Sequence, residues 1–106
     1  MSSFAHVPDR QAFSSEKMRK QNLFDSTNMF CDIYGFEPGQ AQTAHAHAGS
    51  DKIYYVLEGV AEIQIGDETR RGGPGTIAHA PPGVSHAVSN PGPARLAVLV
   101  FMAPKP

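Results

Sequence analysis

The sequence is short of several things, and each shortage excludes something. It has one cysteine, Cys31, so no internal disulfide can form. A fold held by its core alone suits a reducing compartment, and the expected location is cytoplasmic. No apolar run approaches the roughly 20 residues that a membrane-spanning helix needs, so no membrane partner is expected. The opening residues, MSSFAHVPDRQAF, carry no basic stretch followed by an apolar one, and no signal peptide is read there. Positive charge is also scarce: the formal net charge is −1 with histidines neutral. The only basic clusters are Arg70-Arg71 and Lys17/Arg19/Lys20, read as solvated surface. Nucleic acid is therefore not an expected partner. There is no tryptophan. Gly-Lys-Ser/Thr phosphate loops, Cys-x-x-Cys pairs and Gly-x-Ser-x-Gly elbows are absent as well, which removes the chemistries they carry.

What the chain has is punctuation. Its 10 glycines and 9 prolines in 106 residues exceed average usage and recur at short intervals, as in a protein of many short strands. Between them lie alternating or apolar runs at 17–24, 29–37, 42–47, 52–58, 60–65, 69–71, 76–80, 85–89 and 94–102. Strands at this spacing predict an all-β sandwich or barrel, with no helix, repeat or linker. The length fits one domain, 1–106, in which residues 1–15 form an N-terminal arm, either loose or laid on a neighbouring subunit. Residues 53–57 and 96–101 are apolar on both faces, which leaves one face for a partner and fits a homodimer.

Three histidines carry the chemistry. On a strand, His45 and His47 share one face with Cα atoms about 6.5–7 Å apart, close enough for two imidazoles to converge on one ion. Their neighbours Ala44, Ala46, Ala48 and Gly49 are small. His86 follows the turn Pro81-Pro82-Gly83, and a barrel can bring it opposite the pair. Neutral imidazole suits a divalent transition metal: Fe, Mn, Ni, Zn or Cu. His79 is a further candidate pocket residue or partner to a ligand.

The spacing around these histidines resembles the two motifs of the cupin superfamily. The first motif runs Gly, five residues, His-x-His, three or four residues, Glu, six residues, Gly. Here it reads Gly39, QAQTA, His45-Ala46-His47, AGSD, Lys52, IYYVLE, Gly59. The second runs Gly, five residues, Pro-x-Gly, two residues, His, three residues, Asn. Here it reads Gly75, TIAHA, Pro81-Pro82-Gly83, VS, His86, AVS, Asn90, a complete match. The resemblance is to a small single-domain cupin and implies a double-stranded β-helix (jelly-roll type) barrel. It also implies His45, His47 and His86 as metal ligands.

One motif position departs from the family. The ligating glutamate is Lys52, whose ammonium has no lone pair to give. Three outcomes stay open: a three-histidine centre, a centre in which Asp51 takes over by a small loop shift, or a metal-free polar pocket for an anion. Lys52 can point inward, as a proton shuttle, or outward to solvent. Tyr54 shares its strand face, and these two are the candidate catalytic residues. Relatives of this kind include dioxygenases, isomerases and decarboxylases, and also proteins with no known reaction. The expected function is therefore a metal-dependent oxygenase or isomerase acting on a small polar or anionic metabolite. The alternative is a non-catalytic binder of a sugar or organic acid.

Overall fold

The alternating runs fold into two antiparallel sheets. The computed structural model describes residues 2–106. A single helical turn, α1 (Val7–Arg10), precedes β1 (Arg19–Asp25), β2 (Phe30–Phe36), β3 (Ala41–His45), β4 (Asp51–Glu58), β5 (Ala61–Ile65), β6 (Glu68–Gly72), β7 (Ile77–Ala80), β8 (His86–Ser89) and β9 (Leu96–Ala103). One sheet has the order β1-β2-β9-β4-β7 and the other β3-β8-β5-β6. Strands adjacent in space are often distant in sequence, because the chain crosses repeatedly between the sheets. This is the all-β architecture that the turn spacing predicts, in the jelly-roll arrangement that the cupin resemblance implies.

Period-2 alternation decides what faces inward. Tyr34 and Phe36 of β2, Tyr54 and Val56 of β4, Ile63 of β5, Val88 of β8, and Val98 and Val100 of β9 form the buried core between the sheets. Asp51, Ile53 and Tyr55 of β4 point to the outside, with Tyr55 opposite both Leu99 and Ile77.

The N-terminal arm lies across the outer face of its own five-stranded sheet. The Arg10 guanidinium donates to the Asn22 carbonyl at 2.9 Å, and the Gln40 amide donates to the Ser14 carbonyl at 2.6 Å. A Cβ on Gly35 would collide with the Ala12 carbonyl, so glycine permits the arm to close on β2. Cys31 and Ile33, on that same outer side of β2, are buried.

The motif residues join distant parts of the chain. Gly39 donates its N–H to the Asn90 carbonyl at 2.8 Å, and Asn90 returns its own N–H to Gln40 at 2.9 Å. The Asn90 side chain donates to the carbonyls of Phe36 (3.1 Å) and Ala94 (2.9 Å) and accepts from the Gly92 N–H (2.8 Å). Gly83, at φ +80°, donates its N–H to the His47 carbonyl at 2.8 Å. That bond ties the turn before His86 to the segment carrying His47. Replacing Asn90 with Ala leaves two carbonyls and one N–H unmatched. Urea unfolding is expected to show a loss of about 2–4 kcal/mol. A loss below about 1 kcal/mol would mean that water replaces the side chain at no cost.

Candidate metal centre

The site begins with an irregularity in β3. Gln42 pairs with Val88 and His45 with His86, so Thr43 and Ala44 together oppose only Ala87. The extra residue is a β-bulge, and it reverses the alternation. Gln42 and His45, three apart, therefore both face the interior. The strand ends at His45, two residues short of the predicted end, as the chain turns through Ala48-Gly49. His47 lies just past β3, held by its carbonyl to Gly83.

His45, His47 and His86 come together: one ring nitrogen from each lies within 4.8 Å of the others. The rings of His45 and His86 are each oriented by a carbonyl two residues back. Nδ1 of His45 is 2.9 Å from the Thr43 oxygen, and Nδ1 of His86 is 3.0 Å from that of Val84. A carbonyl only accepts, so both Nδ1 atoms carry the hydrogen and both Nε2 atoms present lone pairs. Those two Nε2 atoms face each other at 3.2 Å. Two neutral rings in this tautomer cannot hydrogen-bond to each other; a cation between them satisfies both. Ligands about 2.1 Å from one ion are separated by about 3.0 Å at right angles and about 3.4 Å in a tetrahedron. The observed His45–His86 separation falls between these values, so this pair fits a first-row divalent ion, with a His47 ring nitrogen within 4.8 Å of both. Three protein ligands would leave coordination positions open toward the cavity.

At His86 and His47 the surroundings disfavour a proton. Burial first, then the charges of Lys52, His45 and His47, draw the His86 ring down to about 4, against the opposing pull of the Val84 carbonyl. His47 is lowered too, chiefly by desolvation, with His45, Lys52 and Lys20 adding to it.

Lys52 points inward. It is 2% exposed, on the inner face of β4 with Tyr54 and Val56. Its Nζ lies 3.4 Å from Gln42 Oε1, and 5.5 Å and 5.2 Å from the ring centres of Tyr34 and Tyr54. Each desolvated cation–π contact contributes roughly 1–2 kcal/mol toward offsetting the burial of the charge. Burial, reinforced by Lys20 and opposed by Asp32, draws its pKa down to about 8. Tyr54 is fully buried, with its hydroxyl 3.4 Å from Gln42 Oε1 and its ring edge-on to His86 at 6.1 Å. Burial pushes the Tyr54 hydroxyl well above the usual phenol range, and that of Tyr34 up to about 12.

Asp51 does not join the histidines. Strand alternation sends it outward, where its carboxylate meets His79 Nε2 at 2.7 Å on the exposed surface. The same contact places His79 outside the cavity rather than beside a ligand. Two residues of the site are not evident in the sequence. Gln42 is hidden by the bulge: its amide accepts from Lys52 and Tyr54 and donates to the Tyr34 hydroxyl at 3.3 Å. Lys20, read as plain surface, is solvent-exposed but lies opposite Tyr34 in register, with its Nζ 5.3 Å from that ring. A cavity of about 390 Å³ opens here, lined by Lys20, Tyr34, Gln42, His45, His47 and Lys52 among others.

Comparison with known proteins agrees with this architecture. The cupin domain model matches residues 32–102. An uncharacterized protein of Streptomyces coelicolor, SCO3923, is 30% identical over 78 residues, covering 74% of this chain and 73% of its own. The crystal structure of TT1209 from Thermus thermophilus is 39% identical, with a TM-score of 0.95 over 99% of this chain and all of that one. A conserved protein with a double-stranded β-helix domain from Klebsiella pneumoniae superposes with a TM-score of 0.90 at 24% identity, over 98% of this chain and 91% of that one. The chain belongs to the cupin domain family.

The buried neutral His86 has a consequence for stability. Its ring titrates near 4 in the folded chain and near 6.5 when unfolded. The unfolded chain therefore takes up a proton that the fold refuses, and the contribution is complete above about 6.5 and lost as pH falls toward 4. Metal-free protein should unfold at lower urea at pH 5 than at pH 7.5, and a His86→Gln variant should show a smaller shift. Equal shifts in the two proteins would contradict a neutral, buried His86.

Proposed function

We propose that this cupin holds a divalent transition ion between His45, His47 and His86 and acts on a small polar or anionic metabolite in the adjoining cavity, as a dioxygenase or isomerase. The observation that carries this reading is the pair of Nε2 lone pairs facing each other at 3.2 Å, with both Nδ1 atoms committed to carbonyls. A bound ion supplies Lewis acidity, or a point of attachment for dioxygen, on the cavity side of the imidazoles. The chain's own groups do the rest. Gln42 orients Lys52, Tyr54 and Tyr34. Lys52 Nζ, with its proton affinity lowered, can give up or take back a proton near neutral pH. Tyr54 Oη keeps its proton and can donate a hydrogen bond.

One observation favours a second reading. The position at which the family supplies a carboxylate ligand holds a cation here, which suits a metal-free binder of a sugar or organic acid. Elemental analysis separates the two. The expected result is about one transition ion per chain, lost in the His45→Ala/His47→Ala variant. Metal-free protein that binds an organic acid with undiminished affinity would overturn the first reading in favour of the second.

A second copy of the chain is the proposed partner. Beyond the part covered by the arm, the outer face of the five-stranded sheet presents Ile53, Tyr55, Leu99 and Phe101 in adjacent register, with Ile77 64% exposed beside them. A self-complementary apolar face of this kind fits an isologous dimer. Light scattering should give twice the chain mass for the wild type and the chain mass for Ile77→Glu/Tyr55→Glu. A wild-type monomer would refute the pairing.

A further inference from the structure

Lys52 is a buried cation with no carboxylate within ion-pair distance among the described residues. Among the described residues its side chain forms no ion pair, although Glu37, Glu62 and Glu68 all have cationic partners. Its one hydrogen bond is to the uncharged Gln42 amide, at 3.4 Å, which leaves two of its three N–H groups without a protein acceptor. Two of its sides are covered by the faces of Tyr34 and Tyr54. The side chain lines the same cavity as His45 and His47, and Lys20 stands at that cavity too, over the same Tyr34 ring. Among the described residues, no aspartate or glutamate lines this cavity. Asp32, the acid whose charge reaches Lys52, accepts instead from the Asn22 amide at 2.8 Å.

We infer that Lys52 and Lys20 form an anion subsite beside the three histidines, and that the ligand is a carboxylic acid. Its carboxylate lies against the Lys52 ammonium and supplies the anionic donor that the family's glutamate would otherwise give the ion. The inference rests on the metal reading above and deepens it: the centre is completed by its ligand. Ion and carboxylate then bind cooperatively, each tightening the other by the same factor. A neutral analogue of the same shape gains little from either lysine.

The test uses Co(II) as the metal probe, with glycolate and the neutral glycolamide as ligand probes. Calorimetry follows Co(II) uptake, and the visible absorption of the Co(II)-loaded protein follows each ligand. In the wild type, glycolate should bind at least about ten-fold more tightly than glycolamide, and it should tighten Co(II) binding by a comparable factor. Lys52→Met should keep Co(II) and lose the glycolate preference. Lys52→Glu should bind Co(II) more tightly than wild type and no longer respond to glycolate. Lys20→Ala, at an exposed position that does not endanger the fold, should weaken glycolate binding to the Co(II)-loaded protein. Equal binding of glycolate and glycolamide, or a preference that survives in Lys52→Met, would overturn the inference. If the wild type takes up no Co(II), it is the metal reading that fails. Lys52-dependent binding of glycolate to the metal-free protein would then still uphold the subsite, and its absence would overturn it.

Discussion

Two hydrogen bonds decide what this barrel end can do. Nδ1 of His45 is committed to the Thr43 carbonyl and Nδ1 of His86 to the Val84 carbonyl. Were either ring free to change tautomer, one Nε2 would donate to the other and the pair would satisfy itself. Because both are committed, two lone pairs converge and the arrangement calls for a cation. The surrounding construction maintains this. His45 and His86 are direct partners in the β3–β8 register, so the rings start opposite one another. The Gly83 N–H on the His47 carbonyl brings the third imidazole to the same place, and it links the two sequence motifs through the backbone.

Much of this was legible in the sequence, because period-2 alternation is a strong signal and glycine and proline mark the ends of strands. All nine predicted strands are present, each within two residues of its expected ends. The convergence of the histidines follows from motif spacing. The facing of Lys52 follows from its register with Tyr54 and Val56, once the strand is known to keep its alternation from Asp51 onward. What was hidden depends on breaks in periodicity and on contacts across the fold. Nothing in Gln42-Thr43-Ala44-His45 announces a bulge, since no glycine marks it. The reversal of facing that brings Gln42 to the site appears only in the pairing with β8. Lys20 belongs to a basic cluster that looks like solvated surface. Its role depends on β1 lying antiparallel to β2, which sets Arg19 opposite Gly35 on the outside and Lys20 opposite Tyr34 on the inside. The arm is a similar case: a short segment without periodicity is located by the space above Gly35, not by any pattern of its own.

The substitution at Lys52 changes the sign of the site rather than dismantling it. A glutamate there would coordinate an ion and cancel part of its charge. A lysine does neither, and it adds a charge that has been taken out of water, which costs several kcal/mol if nothing offsets it. The fold offsets part of that cost with two aromatic faces and the Gln42 carbonyl, and part by lowering the affinity of Nζ for its proton. These are the compensations expected where a cation must be tolerated without an ion pair. A structural ion pair would have been simpler, and the chain makes one elsewhere, between Arg95 and Glu37, with bonds of 3.0 and 3.2 Å. At the barrel end it places no acidic side chain in the cavity. With an ion bound, its positive charge and the two ammonium groups would face one space that, among the described residues, no aspartate or glutamate lines. An anion entering from solvent is the component that balances them, and the open cavity beside His45, His47 and Lys52 gives it access.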